Sequence, residues 1–552
     1  MSEEQKKSNS SFLLQGAILA AAGIITRLIG LAYRIPVNNI LGDEGQGFYG
    51  CAYSIYNIAL LLTSYSLPLA VSKLVSARVT KGEHKNAMRI FKSALLFALI
   101  AGSFAGLVVF IFSDFIAGSI MSLRLSAYAL RVLAPGLLIV AIMGVVRGFF
   151  QGMGTMVPTA ISQILEQIVN AIVSIVGASQ LLKMGKLAAK SQNEPSLPYA
   201  YGAAGGTLGT VSGALFGLLF LAVLYKLFYP KMKRRIRRDV THQEESYKQI
   251  YTVLMLTIAP VILSTAIYNI NDTIDQGIFS NIVVAQGYTE KKAAELLGMF
   301  TGKYNTLIHI PLAVASSLGA SIIPSMTAAI TKGNKKEIRS KINLVIRFTM
   351  LIAIPSSVAF MVLPKQILSL LYTGNIDIPA KLLRIGAITV VFYCLSTITN
   401  SILQGLNKMS TPVKHGAISL GIHLVAVVIM LVVFKWNIYS LVAGNIVFSL
   451  TMCILNGRAL RVCAGYKQEV KKTFFLPFCA AAMMGIVAFI VYIATDILLP
   501  SKLATLLAII VGVVIYVISL LKMGALTADE IKAFPKGTKI LSLLKRIHLI
   551  QE

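Results

Sequence analysis

Runs of about twenty mostly apolar residues recur along the whole chain and leave little choice of fold. A helix that rises 1.5 Å per residue needs about that length to cross the hydrocarbon core of a bilayer. The chain has 552 residues, of which 56% are hydrophobic and only 13% are charged, which is too little polar surface for a soluble globule. The sequence therefore predicts an all-α polytopic membrane protein with about fourteen transmembrane helices.

The positions of the spans set the expected domain limits. The spans are predicted near residues 12–35, 47–79, 90–113, 126–150, 157–182, 201–228, 249–278, 297–331, 340–363, 381–403, 412–434, 437–461, 472–494 and 502–522. We predict an N-lobe at 1–228, a basic cytoplasmic linker at 229–248, a C-lobe at 249–461, spans thirteen and fourteen at 462–522, and a basic cytoplasmic tail at 523–552.

Short motifs recur in the same order in the two halves of the chain, which indicates a duplication. The repeated pieces are Pro68–Val71 with Pro311–Val314, Thr80–Gly82 with Thr331–Gly333, Arg131 with Arg384, and Gln151-Gly152 with Gln404-Gly405. Since each copy holds an even number of spans, we expect two parallel six-helix repeats followed by two C-terminal helices. Transporters built from repeats place their substrate at the repeat interface, so a central cleft is expected.

The distribution of charge predicts the orientation in the membrane. The formal net charge is +29, but Lys and Arg concentrate in the connections that are cytoplasmic if the N-terminus is inside. We therefore expect both termini in the cytoplasm and a location in the cell membrane. The basic cluster between Lys231 and Arg238 is expected to lie against anionic membrane lipids, and no nucleic-acid partner is expected.

Several functional classes lack their signatures. The five cysteines form no CxxC pair, so neither a disulfide framework nor a zinc site is indicated. The sequence contains no Walker loop, HExxH or GxSxG motif. We expect neither an enzyme nor a bound cofactor, and transport would depend on a coupled monovalent cation or on the membrane potential.

Basic side chains within predicted spans are the first candidates for a binding site, because intramembrane charges usually face a wet cavity or the protein interior. Arg27 and Arg34 lie nearly two turns apart on one face of span one. Lys303 lies in span eight and Lys73 follows the repeated proline motif in span two. A cleft that these four residues line suits an anion, and phosphate is the obvious candidate. Arg34 lies near the outer end of its span, where snorkelling to the interface is an equal alternative.

Polar side chains on other spans complete the candidate site. Gln163, Glu166 and Asn170 form one stripe along span five with Gln167, either lining the cleft or joining helices, and Glu166 is a candidate partner for Arg27. Asp272 and Asp275 on span seven are three residues apart and are candidates for binding a coupled cation or proton, with a position at the outer membrane boundary as the alternative.

Glycines at intervals of four in span six predict close helix packing. They are Gly205, Gly209, Gly213 and Gly217, and small residues at this spacing let a neighbouring backbone approach closely.

Three motifs resemble those of a known family: Thr26–Gly30 in span one, Pro311–Pro324 in span eight, and Gln404-Gly405 through Thr411-Pro412. They look like the MurJ and SpoVB/YtgP type flippases of the MOP exporter superfamily, and the resemblance extends over essentially the whole chain. It implies a V-shaped fourteen-helix transporter with a MATE-like fold that turns lipid-linked cell-wall precursors, such as lipid II, to the outer leaflet.

The resemblance also assigns roles to residues. The family's cavity arginine carries over to Arg27, because the Arg-x-x-Gly pattern stands at Arg27–Gly30, and less directly to Arg34. Span two lacks the family's arginine, and Thr306 stands where span eight would carry one, with Lys303 one turn away as a candidate substitute.

Three functions remain open from the sequence. The first is a flippase for an undecaprenyl-pyrophosphate-linked saccharide, in which Arg27 and Lys303 bind the pyrophosphate. The second is a MATE-type multidrug exporter coupled to cations through Asp272 or Asp275, although such exporters normally have twelve spans. The third is a scaffold that contacts cell-wall synthesis proteins through its basic tail.

Overall fold

The computed structural model describes residues 3–64, 66–239, 244–331 and 334–524, and every regular element within these ranges is helical. The predicted all-α fold is confirmed. Beyond residue 524, the predicted basic tail lies outside the described residues, as do Lys332 and Gly333 of the second repeat.

The chain divides into two compact units, Met1–Gly302 and Lys303–Glu552. The helices of the first unit are α1 (Glu3–Thr63), α2 (Leu67–Thr80), α3 (His84–Ile111), α4 (Ser113–Phe115), α5 (Ala127–Gly152), α6 (Val157–Gln192), α7 (Leu197–Arg237), α8 (Tyr247–Ala285) and α9 (Glu290–Gly298). Those of the second unit are α10 (Asn305–Thr331), α11 (Lys335–Val362), α12 (Pro364–Leu371), α13 (Asp377–Gly405), α14 (Ser410–Val432), α15 (Tyr439–Ala464), α16 (Leu476–Asp496) and α17 (Ser501–Lys522).

Helices long enough to cross a membrane make up most of both units. Twelve helices in the described part of the chain are long and apolar enough to do so, so the chain is a multi-pass membrane protein. The predicted number of fourteen is not confirmed. One apolar stretch, Ala21–Thr80, includes most of the first predicted span and all of the second, and α8, which covers the seventh, is not among the twelve.

Helix α1 changes direction at a glycine. Its 61 residues would extend about 90 Å if straight, roughly three times the hydrocarbon thickness. Gly42 interrupts the helix with φ 65° and ψ −177°, a conformation that is essentially restricted to glycine. The first two predicted spans are therefore the two parts of α1 on either side of Gly42, with α2 continuing the second.

Replacing Gly42 with alanine is expected to destabilise the protein by about 1–3 kcal/mol, because a Cβ is strained at this backbone conformation even where there is room for it. Thermal unfolding of the purified protein in detergent measures the effect. The control is Gly23→Ala in the same helix, where a Cβ would have nothing within 4 Å. Equal unfolding temperatures for the two variants would show that the break at Gly42 needs no glycine.

The repeated motifs fall at corresponding helix ends in the two units. Gln151-Gly152 ends α5, and Gln404-Gly405 ends α13. The helix that follows carries a proline in its first turn in each case, Pro158 in α6 and Pro412 in α14. Proline is favoured at this position because the first N–H groups of a helix have no partner within it. The correspondence agrees with a duplicated architecture.

In each predicted repeat, the third helix contacts the end of the sixth helix or the segment that follows it. In the first unit, Arg89 of α3 forms an ion pair with Glu244. In the second unit, Arg347 of α11 forms an ion pair with Glu469, and Arg339 donates from Nε to the carbonyl of Ala464 at 3.0 Å. The same type of contact therefore recurs at equivalent places, which also agrees with duplication.

The first compact unit continues past the predicted N-lobe limit at residue 228. The predicted linker 229–248 begins within α7, which ends at Arg237. Helix α9 packs closely against α1. The backbones are so near each other that a Cβ added to Gly47 would collide with the carbonyl of Ala294, and one added to Gly298 would collide with that of Asp43. These contacts explain why the unit extends to Gly302, and the division into functional lobes stays a prediction.

The predicted glycine spine of span six packs as expected. A Cβ on Gly213 would lie 2.5 Å from the carbonyl oxygen of Glu166, and one on Gly209 would lie 2.5 Å from that of Asn170. Both distances are too short for a real Cβ. Helix α7 can therefore approach the backbone of α6 at this distance only with glycine at these positions. This close packing sets the position of α6, which carries the polar stripe.

Candidate functional site

The polar stripe of α6 lies against α1. Asn170 donates from Nδ2 to the hydroxyl of Tyr33 at 3.1 Å, and Ser174 donates to Oδ1 of Asn170 at 2.9 Å. One turn earlier, a Cβ on Gly30 would lie 3.9 Å from Oε1 of Gln167. Both α1–α6 pairs are separated by 137 residues, so the two helices run in the same direction with a fixed register.

Glu166 forms an ion pair with an arginine that sequence analysis did not select. The guanidinium of Arg147 on α5 lies 2.7 Å from Oε2 of Glu166, and its Nε donates to Oγ of Ser162 at 3.0 Å. The side chains of Arg147 and Glu166 are 12% and 22% exposed, so the pair is largely but not fully enclosed. The stripe therefore joins α5, α6 and α1, and part of it remains accessible.

The register of α1 and α6 places Arg27 at the level of this ion pair. With an offset of 137 residues, Arg27 on α1 lies beside position 164 of α6. Arg147 contacts Ser162 and Glu166, which lie on either side of that position in α6. Arg27 itself is exposed. Arg27 on α1 and Arg147 on α5 thus lie at the same level along α6, which both helices contact.

Arg34 lies two turns further along α1, among tyrosines. Its guanidinium lies within electrostatic reach of Tyr33, Tyr49 and Tyr53. It is exposed and forms no ion pair with any other residue that the structure describes. A guanidinium surrounded by phenol rings rather than carboxylates is well suited to bind an anion from outside the protein.

The tyrosines form a row along the second part of α1. Tyr49 and Tyr53 stack with ring centroids 5.6 Å apart and an interplanar angle of 12°, and Tyr56 follows at 5.9 Å. Spacings of four and three residues place the three rings on one face of a helix. The carboxylate of Glu166 lies within electrostatic reach of Tyr53 and Tyr56. The row therefore connects the surroundings of Arg34 to the stripe.

Lys303, expected to bind pyrophosphate, is buried in the second unit. Its side chain is 2% exposed, and its ammonium donates to the carbonyl of Asn375 at 2.8 Å in the segment between α12 and α13. This contact anchors the start of span eight to that segment. Substrate binding by Lys303 stays a prediction.

The two aspartates of α8 lie in different surroundings. Asp272 is exposed, whereas Asp275 is 1% exposed, and nearby Thr273 donates to the carbonyl of Ser54 at 3.1 Å. Cation coupling by this pair stays a prediction. Among the residues that the structure describes, no group of three or more His, Cys, Asp or Glu side chains is placed to hold a metal ion.

The remaining candidate residues, and Arg131 from the repeat, lie on three different helices. Lys73 is exposed on α2 and Gln163 is partly exposed on α6. Arg131, at the other end of α5 from Arg147, donates from Nε to Ser113 at 2.9 Å and pairs with Asp114. Arg131 is therefore bonded to side chains that lie just before α5 in the chain, and the structural or headgroup role that its repetition suggests stays a prediction.

Sequence reasoning could have identified Arg147. The residue lies within predicted span four, and an intramembrane charge is itself a reason to look for a partner on a neighbouring span. Glu166 on span five was already selected, and α5 and α6 are consecutive helices. Arg131 drew attention instead because it recurs in the second half.

Comparison with protein families gives two matches. Residues 13–330 match the family described as "Polysaccharide biosynthesis protein", which is more than half of the chain. Residues 302–429 match the family described as MatE.

Two relatives come from Bacillus subtilis (strain 168). Lipid II flippase MurJ is 27% identical over 87% of this chain and 89% of its own length. Stage V sporulation protein B is 26% identical over 96% of this chain and 98% of its own length.

Solved structures show the same fold. An inward closed structure of lipid II flippase MurJ has a TM-score of 0.62 at 13% identity, over 91% of this chain and 98% of that one. An inward-facing MATE family multidrug transporter of the MOP superfamily also has a TM-score of 0.62, at 16% identity, over 82% of this chain and 99% of that one.

Proposed function

The chain belongs to the polysaccharide biosynthesis protein family, and on that premise we propose that it is a flippase for a lipid-linked cell-wall precursor. The substrate carries undecaprenyl pyrophosphate and a saccharide, with lipid II as the leading candidate. The protein moves it across the cytoplasmic membrane by alternating access. Near full-length similarity to a lipid II flippase and to a sporulation protein supports this proposal.

The observation that carries the proposal is the set of arginines in a largely apolar helical unit. Arg27 and Arg147 lie at one level of the polar stripe, and Arg34 lies two turns away without a carboxylate partner in the described part of the chain. Holding cations within a membrane is costly, so intramembrane arginines usually mark a functional site. Guanidinium groups bind phosphate oxygens through paired hydrogen bonds. A pyrophosphate headgroup provides such oxygens.

The remaining features of the proposal concern orientation and energy. Both termini lie in the cytoplasm, and the basic residues near the end of α7 contact anionic lipids, as the positive-inside distribution suggests. Transport uses the membrane potential or a monovalent cation, for which Asp272 and Asp275 are the candidates. The protein is a transporter rather than an enzyme, and cell-wall synthesis proteins are candidate partners.

A cation-coupled multidrug exporter is the alternative, because the fold is shared with MATE transporters. Such an exporter would use acids, here Asp272 or Asp275, to bind cationic drugs. Arg27, Arg34 and Arg147 disfavour a cationic substrate.

The test is complementation of cells depleted of their other lipid II flippases. We expect the wild-type protein to restore growth and to reduce the lipid-linked precursor that accumulates at the inner leaflet, as measured by mass spectrometry. Export of organic cations in the same cells distinguishes the alternative. Efflux that depends on Asp272 or Asp275, with no effect on the precursor, would favour the drug exporter.

A further inference from the structure

The ion pair between Arg147 and Glu166 has no counterpart among the substrate-binding residues that resemblance assigns. We propose that Arg147 is an additional ligand of the anionic headgroup, and that Glu166 occupies its guanidinium while the substrate is absent. Because the anion is the pyrophosphate of the substrate proposed above, this assignment rests on the proposed function. It adds that Arg147 exchanges Glu166 for the headgroup when the substrate binds.

The position of Arg147 supports this role. Its guanidinium contacts the polar stripe of α6 through Ser162 and Glu166, at the level where the register of α1 and α6 places Arg27. A pyrophosphate carries oxygens on two phosphorus atoms. A headgroup that reaches the stripe at this level can therefore be bound by arginines from two different helices.

The hydrogen bonding of Arg147 leaves capacity for a ligand. An arginine carries five N–H donors, and two hydrogen bonds are made here, one to Ser162 and one to Glu166. The other donors bond to no residue that the structure describes. Phosphate oxygens and carboxylate oxygens suit the same planar array of donors, so a phosphate competes directly with Glu166.

Glu166 is suited to release its partner. Its side chain is 22% exposed, so it keeps contact with water when Arg147 turns to another anion. The carboxylate then remains close to the bound phosphate and repels it. Glu166 is thereby expected to weaken binding, which favours release of the headgroup after transport.

A purely structural bridge between α5 and α6 is the competing explanation, and the chain contains a matched example of one. Arg131, on the same helix, also donates from Nε to a serine and pairs with a carboxylate, Asp114. The side chains of Arg131 and Asp114 are 38% and 64% exposed, and the pair lies at the other end of α5. It serves as the control because its chemistry matches while its position does not.

The test measures binding of undecaprenyl pyrophosphate to the purified full-length protein, with uncharged undecaprenol as the reference ligand. Glu166→Gln is expected to tighten binding of undecaprenyl pyrophosphate by about tenfold, since it removes the competing charge. Arg147→Met with Glu166→Met is expected to bind at least about tenfold more weakly than Glu166→Gln, since both variants lack the competing carboxylate and only the first also lacks the charged donor. Arg131→Met with Asp114→Met is expected to bind as the wild type does.

The methionine pair separates the two explanations, because apolar replacement of an enclosed ion pair commonly preserves packing. Unfolding temperatures of all variants check that they fold. An Arg147→Met, Glu166→Met protein that binds as tightly as Glu166→Gln, or no gain from Glu166→Gln, would overturn the exchange and leave the flippase proposal intact. Failure of the wild-type protein itself to prefer undecaprenyl pyrophosphate over undecaprenol would overturn both.

Discussion

Replacing Arg27 and Arg34 together with glutamine is expected to reduce precursor translocation by at least about a hundredfold. Each arginine offers a charge-assisted hydrogen bond to the pyrophosphate, worth about 1.5–3 kcal/mol, and every 1.4 kcal/mol corresponds to about tenfold. Glutamine keeps a polar side chain of moderate length at both exposed positions, so the fold should be retained. Translocation is measured in cells that depend on this protein alone.

The single variants show how the two arginines share the headgroup. We expect about a tenfold loss for each alone, and less for Arg27→Lys than for Arg27→Gln because lysine keeps the charge. Lys502→Gln, at an exposed lysine at the start of α17, is the control for loss of a surface cation. Normal transport by the double variant would remove the arginines from the binding site.

Lys303 can be examined in the same assay. The sequence predicts that Lys303 shares the pyrophosphate with Arg27, whereas the structure shows its ammonium bonded to the carbonyl of Asn375. Lys303→Ala should lower the affinity for the headgroup if the prediction is right. A lower unfolding temperature with unchanged affinity would instead assign Lys303 to the packing of the second unit.

Replacing Gly209 with leucine is expected to prevent stable folding. A Cβ there would already lie 2.5 Å from the carbonyl of Asn170 and would collide with Oγ of Ser174, and leucine adds three further carbons. Overpacking typically costs about 1–3 kcal/mol and more where only backbone can yield. The yield of monodisperse protein and its unfolding temperature in detergent measure the effect.

Gly421→Leu is the matched control for this effect. Gly421 also lies inside an apolar helix, α14, but a Cβ on it would have nothing within 4 Å. We expect near wild-type yield and stability for this variant. If Gly209→Leu were equally well tolerated, the close contact between α6 and α7 would not exist in the membrane.

Hydrophobic periodicity was enough to predict the fold class and the glycine packing. Apolar runs of membrane-crossing length allow only helices here, because a bilayer offers no partners for unpaired backbone groups. Glycines at every fourth position share one helix face, so Gly209 and Gly213 could be assigned to a helix contact from spacing alone. The same information located the polar stripe on α6, since Gln163, Glu166 and Asn170 also share a face.

The number of spans and the pairing of charges were harder to predict. The polar stretch around Asp43 and Glu44 separates the first two predicted spans, yet in the structure α1 continues through it with a break only at Gly42, so a polar stretch does not by itself show where a helix ends. Partners across helices depend on rotation and register, which one sequence does not encode locally. Glu166 was therefore matched with Arg27 in the prediction, while its ion pair with Arg147 became visible only in the structure.

Residues that share a sequence pattern also differ in their exposure and contacts in the structure. Asp272 and Asp275 are three residues apart, yet one is exposed and the other buried, because neighbouring segments cover only one of them. Arg34 and Lys303 were both selected as cations within spans. Only Arg34 is exposed among aromatic side chains, whereas the ammonium of Lys303 is bonded to a main-chain carbonyl.

The most direct test of the proposed function is reconstitution of the purified protein into liposomes that contain fluorescent lipid II. Access of an external reagent to the labelled headgroup reports its movement between leaflets, with an imposed membrane potential as the energy source. A flippase that binds pyrophosphate through these arginines is expected to give rapid movement as the wild type and about a hundredfold less as the Arg27→Gln, Arg34→Gln variant. Movement no faster than in protein-free liposomes, with or without a potential, would contradict the proposed function.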